Sequence, residues 1–305
     1  MTLDPISLTP MPPSLESVEP EAGVAPEYPR PDQIQPSPSD LPHLSHAIFF
    51  FVLTLPMLFI GEALSLFLAK ELHLFGDKSY RAIFDLMASD ARIAIPAQAV
   101  TYLLTALVAV TLFPLFWRLP FSQGIHWNLD VARARFLRLV ALGLALGLGI
   151  TLLGNYLPMP KDPPIMQDMM GSQLGAWMML IFGITCAPLL EEIAFRGFLL
   201  PGFIHALRWL MQREILSSEA VSWFTIPLSV VLTTIPFALL HATQVSHAWA
   251  PILLIGLVSV ALCMVRLQLR SVAASTVVHA AYNFTLFSGL LLQTDGFRHL
   301  ERLNS

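Results

Sequence analysis

The chain has 305 residues, 55% of them hydrophobic and 12% charged, with a mean hydropathy of +0.65 and a formal net charge of −4. Ordinary soluble domains carry roughly 25% charged residues, so a soluble globule of this length is excluded, as is a nucleic-acid partner, because no basic patch or stripe is present. The continuous apolar runs lack the period-2 alternation of a transmembrane β-barrel, which leaves an all-α fold: a polytopic transmembrane helical bundle of about seven to eight helices, with the lipid bilayer around it.

Residues 1–44 hold eleven of the twenty-four prolines and seven acids against the single base Arg30. Such a stretch cannot bury enough apolar area to offset chain entropy and is expected to be a disordered, acidic, Pro-rich tail. It lacks the basic start and apolar run of a signal peptide. A transmembrane domain is expected over 45–295, followed by a short polar tail at 296–305. Apolar stretches near the ~20 residues that a bilayer core requires lie at 46–69, 93–117, 136–157, 174–194, 222–243, 249–265 and 272–293. Pro56 and Pro114 are tolerable there if neighbouring helices re-satisfy the freed carbonyls. Glu62 in the first stretch has no partner at helical spacing and reads as a bundle-facing structural acid. In the third stretch Gly143 and Gly147 stand in GxxxG spacing, which predicts a close helix contact. The segment 198–213 is apolar but short, and reads first as an interfacial or re-entrant helix and second as an eighth crossing. Cys186 and Cys263 both fall in apolar runs and read as small buried hydrophobes. Arg118, Arg133, Arg135, Arg138, Arg266 and Arg270 weight one side of the layout, so the positive-inside bias predicts a cytoplasmic N-terminus and a place in the plasma membrane.

The fourth stretch carries charge where charge is costly: Glu191, Glu192 and Arg196. Intramembrane ionisable residues are functional candidates by default. Four helical residues advance 400°, so Glu192 and Arg196 share a face and can pair. Glu191 is rotated by about 100° and has no sequence-local cation. A carboxylate in an apolar setting has its charged form disfavoured, and a base that holds protons more tightly suits catalysis near neutrality. Phe237 and His241 follow one turn apart on a later stretch. His279 and Asn283, also at i,i+4, share a face of the last; both can donate hydrogen bonds, as a developing oxyanion requires. Interhelical polar packing would use the same residues. His205, His247 and His299 read as background.

EExxxR (Glu191, Glu192, Arg196), FxxxH (Phe237, His241) and HxxxN (His279, Asn283), with GFLLP, FALLH and RSVAASTVVHAAYN around them, resemble the three signature motifs of the CPBP family of CAAX prenyl (Rce1-type) and bacteriocin-processing (Abi) intramembrane endopeptidases. The resemblance covers about 174–290, the expected catalytic core. It implies a glutamate-dependent endopeptidase in which Glu191 and His241 activate a water. His279 and Asn283 would stabilise the oxyanion, while Glu192, Arg196 and Phe237 support the site. It implies a peptide or membrane-protein substrate, C-terminal or lipid-modified in part of the family, and no cofactor or metal. Two alternatives stand beside this reading. One is a zinc metalloprotease with Glu191, His241 and His279 as ligands and an open position for water, although no H-E-x-x-H motif is present. The other is a non-catalytic immunity or scaffold protein that uses the polar residues to hold a partner helix or peptide.

Overall fold

The computed structural model describes residues 41–159, 170–213, 215 and 218–304, and all regular structure among them is helical. Most of the tail expected at 1–44, from residue 1 to 40, lies outside the described residues. The bundle begins with α1, Leu44–Glu71, followed by the short α2, Tyr80–Asp85, and the long α3, Ala91–Trp117. Two short pieces, α4 (Phe121–Gly124) and α5 (Leu129–Ala134), lead to α6, Phe136–Gly154. Then come α7, Gln173–Ile184, and α8, Cys186–Glu192. A π-helical stretch, Ile193–Leu199, runs straight into α9, Leu200–Gln212. The chain finishes with α10 (Ser218–Leu240), α11 (Trp249–Leu269) and α12 (Val272–Gln293).

Local chemistry sets many of these boundaries. Ser79, Asp90, Asn128, Ser172 and Ser271 each accept a backbone N–H of the helix they precede, which satisfies donors that helix starts leave orphaned. Arg118 and Arg270 end α3 and α11 in the left-handed conformation.

Among the described residues six helical segments are long and apolar enough to cross a membrane: Leu44–Glu71, Ala91–Trp117, Phe136–Gly154, Gln173–Met211, Trp223–Leu240 and Trp249–Leu269. The seventh stretch expected, 272–293, forms the 22-residue α12 but is too polar on average to join them. It packs against α5, α6, α7, α8, α11 and the π stretch, and its Ser275 and His279 are buried there. The segment 198–213 is not a separate element, because its helix continues without a loop from the acid pair. Gln173–Met211 has 39 residues, about 58 Å if straight at 1.5 Å per residue, nearly twice a ~30 Å hydrocarbon core. The run is broken at Thr185 (φ −122°, ψ −80°), and Glu191 sits near its middle.

Two packing features hold the site in place. An aromatic cluster anchors the π stretch: Phe198 stacks on Phe50 at 4.6 Å between centroids and meets Phe113 at 4.7 Å, with Trp117 alongside. The GxxxG glycines hold α6 close to α12. A Cβ on Gly143 would clash with the Val278 carbonyl, and one on Gly147 would lie 2.6 Å from Thr285 Cβ. The outer faces remain apolar; Ile48, Val52, Leu55 and Phe59 on α1 are exposed, as a lipid-facing helix requires.

The ends of the bundle are tighter than composition suggests. Leu41, expected in the tail, is buried, and its carbonyl meets His126 Nε2 at 3.3 Å. Phe297, expected in the polar C-terminal tail, is buried against Trp177 at 5.3 Å. Cys263 is buried as expected but Cys186 is exposed, because it starts α8 just past the break at Thr185. Glu62 is half-buried with no ion pair among the described residues.

Candidate functional site

Glu192 is the last residue of α8 and Arg196 lies one turn on, in the π stretch. Both side chains are fully buried, and Arg196 Nη1 donates to Glu192 Oε1 at 2.9 Å. The second guanidinium arm, Nη2, donates to the Ser259 carbonyl at 3.0 Å and to its hydroxyl at 2.9 Å. Thr234 Oγ1 donates to that hydroxyl at 3.1 Å. The face of the guanidinium lies 4.4 Å from the centroid of Phe237, a cation–π contact that is strongest when desolvated. Arg196 thus ties α8 to α10 and α11. The pair matches the i,i+4 reading; the Ser259 and Phe237 contacts do not follow from spacing. π-bulges recur at functional sites, and here one begins immediately after the two acids.

The arrangement around His279 was not expected. Its Nδ1 donates to Glu192 Oε1 at 3.0 Å, and its Nε2 lies 3.8 Å from Glu191 Oε2. The imidazole from α12 therefore sits between the two adjacent carboxylates of α8. Glu192 orients the ring through one nitrogen, the kind of outer support that fixes which nitrogen is presented. Glu191 is the open one of the two acids, with its side chain 19% exposed against 0% for Glu192. It makes no ion pair with Lys or Arg among the described residues.

His241 ends α10, where its Nδ1 meets the Phe237 carbonyl at 2.8 Å. A carbonyl only accepts, so Nδ1 is the donor, which leaves Nε2 to face away from the Phe237 carbonyl as the ring's second nitrogen. The His241 ring lies 4.9 Å from that of Phe237, which lies 6.1 Å from that of His279. Phe237 thus spaces the two imidazoles and supports Arg196. No hydrogen bond or ion pair joins His241 to Glu191 among the described residues. Asn283, one turn beyond His279, donates Nδ2–H to the Gly183 carbonyl at 2.7 Å. That carbonyl belongs to the last turn of α7, which leaves acceptors without intrahelical partners. One amide N–H of Asn283 is therefore occupied and the other remains available.

The structure brings residues from all three motifs into one cluster, linked in the order His241, Phe237, His279, Glu191, with Glu192 and Arg196 beneath. A cavity of about 380 Å³ lined by His43, Leu44, Ser45, His205, Ala206, Trp209 and Leu210 includes none of these residues. Among the described residues no group of three or more His, Cys, Asp or Glu side chains is arranged to hold a metal ion. Tyr102 of α3 also borders the site: its ring lies 5.6 Å from Phe182, the neighbour of Gly183. Spacing gave no sign of Ser259, Gly183 or Tyr102.

Residues 173–285 match the family model described as Rce1-like, type II CAAX prenyl endopeptidase Rce1-like, and this stretch contains all three motifs. No curated protein and no solved structure matches the chain. The CPBP/Rce1-like resemblance of the motifs is thereby shown over that stretch. Six helical segments among the described residues are long and apolar enough to cross a membrane, and with the similarity over 173–285 they make the chain an integral membrane protein.

Proposed function

We propose that this chain, a member of the Rce1-like family by residues 173–285, is a metal-free glutamic endopeptidase that hydrolyses a peptide bond near the C-terminus of a lipid-modified peptide or protein. The observation that carries the proposal is the seating of His279 between Glu192 at 3.0 Å and Glu191 at 3.8 Å, with the second motif packed against it through Phe237. The open acid, Glu191, accepts a proton from water as the water oxygen attacks the scissile carbonyl. His241 Nε2 offers the lone pair that orients this water. The oxyanion is met by His279 Nε2–H and the spare amide N–H of Asn283, donors whose value rises in a water-poor site. The His279 part requires the imidazolium, a cation flanked by two carboxylates. Glu191 then returns the proton to the departing amine, so one carboxyl serves as base and then acid. Glu192, Arg196 and Phe237 hold the geometry. The basic residues near one side of the bundle favour a cytoplasmic N-terminus in a plasma membrane.

The test is cleavage of a prenylated C-a-a-X peptide by the purified protein in liposomes. Glu191→Gln, which preserves volume and removes the base, abolishes product while leaving the helical circular dichroism intact; full activity in that variant refutes the role. The zinc reading uses the same residues and is separated by chelation: loss of cleavage with EDTA, restored by zinc, would overturn the metal-free account. A non-catalytic immunity or scaffold protein would keep its biological effect in a folded Glu191→Ala variant.

A further inference from the structure

Three histidines that the proposed hydrolytic site does not use meet at the start of α1. The rings of His43 and His46 stack at 5.4 Å between centroids, and His205 of α9 meets His43 edge-on at 5.6 Å. His43 is exposed and, with Ser45 and His205, helps to line the cavity of about 380 Å³. Neither His43 nor His46 pairs with an acid among the described residues.

His46 is the third residue of α1, and its side chain reaches back to the N-cap residue. The backbone N–H of His43 donates to His46 Nδ1 at 3.0 Å. This is the third-residue half of a capping box, a role that glutamate or glutamine commonly fills. A backbone N–H only donates, so His46 Nδ1 holds a lone pair and the ring proton sits on Nε2; the ring that makes this bond is neutral. Glutamine would make the same bond at any pH, but histidine makes it only while Nδ1 is free of a proton.

The same ring borders the aromatic cluster. His46 meets Trp117 at 5.7 Å and Phe113 at 6.2 Å, both edge-on, and those two rings flank Phe198 of the π stretch. α3 thus presents uncharged rings to His46, and its following residue Arg118 is exposed. α9 presents His205 to His43, with Arg208 exposed one turn on. Arg196 of the π stretch is taken up by Glu192. The titratable group stacked on His46 is therefore another base, His43.

We infer that His46 is a proton-sensitive latch between the start of α1 and the aromatic cluster. Neutral, it caps α1 and lies against Trp117 and Phe113. Protonated at Nδ1, it sets two N–H groups facing each other and places a cation beside His43 at the positive end of the α1 dipole. The neighbouring aromatic rings offset part of that charge but not the lost acceptor. Acid therefore loosens α1 from Trp117, Phe113 and the π stretch that follows the two carboxylates. The inference goes beyond the hydrolytic reading and does not depend on it, because its readout is folding.

The full-length protein and His46→Gln are unfolded with SDS in mixed micelles from about pH 7.5 to about pH 5, across the ordinary histidine range, and followed by tryptophan fluorescence. On acidification at fixed SDS, the unfolded-to-folded ratio of wild type rises about 5–30-fold more than that of His46→Gln, the range for losing one helix cap. His43→Gln, which leaves the acceptor at residue 46 in place, keeps most of the acid response. Equal acid responses in wild type and His46→Gln overturn the inference. So does a response that His43→Gln abolishes, since repulsion between the rings rather than the cap would then be its cause. His46→Glu, the other usual capping-box residue, repeats the test if His46→Gln does not fold. Failure of both to fold also overturns the inference, because both retain the acceptor.

Discussion

Arg196→Met is the substitution whose cost follows most directly from the contacts. Methionine keeps much of the apolar stem and removes the charge. Three hydrogen bonds disappear, one to Glu192 at 2.9 Å and two to Ser259 at 3.0 and 2.9 Å, together with the contact over Phe237 at 4.4 Å. The larger consequence falls on Glu192, whose side chain has no exposure and whose Oε2 already lacks a partner. Breaking a buried pair by removing one member costs about 3–5 kcal/mol, and a desolvated cation–π contact adds up to about 2 kcal/mol. A loss of about 4 kcal/mol is a large share of the ~5–15 kcal/mol that typically holds a protein folded. The assay is unfolding by SDS titration in mixed micelles, followed by fluorescence of the six tryptophans. Adding Glu192→Gln removes the stranded charge, so the double variant should recover at least about 2 kcal/mol relative to the sum of the singles. A single variant within about 1 kcal/mol of wild type, or a double variant that loses the full sum, refutes the argument.

Asn283→Ala should lower kcat by about 10²–10³-fold if its spare N–H meets the oxyanion. A change in unfolding midpoint with an unchanged rate would reduce its role to securing the Gly183 carbonyl. Gly147→Val should destabilise the bundle by about 1–3 kcal/mol, because Thr285 Cβ lies 2.6 Å from the added carbon; an unchanged SDS midpoint would show that α6 and α12 can separate without loss. Treatment with EDTA should leave the cleavage rate unaltered, measured on the same liposomes.

Much of the scaffold was legible because membrane helices reveal themselves by length and apolarity. The Glu192–Arg196 pair and the Gly143/Gly147 contact follow from helical periodicity alone. What spacing could not give is what lies across from each face. His279 and Asn283 read as two equivalent donors, yet one is held by Glu192 and the other by Gly183, 87 and 100 residues away in sequence. The FxxxH motif showed Phe237 beside His241 but not beneath Arg196. The π stretch was illegible because nothing in the residue order IAFRGFL marks an extra residue per turn. The stretch 272–293 reads as a span from its apolar length and forms α12. Its His, Asn, Ser and Thr residues lower its hydropathy, and among them Ser275 and His279 are buried in the bundle. Leu41 and Phe297 are each buried, although composition alone placed them in the end segments.

The central claim is that Glu191, His241, His279 and Asn283 serve one water molecule and one carbonyl. Residues that act as a unit show non-additive losses, so the most direct measurement is single-turnover cleavage by Glu191→Gln, His241→Gln and the double variant. The account predicts that the double variant is no slower than the worse of the two singles. Losses that multiply, or a Glu191→Gln protein that still cleaves at the wild-type rate, would contradict it.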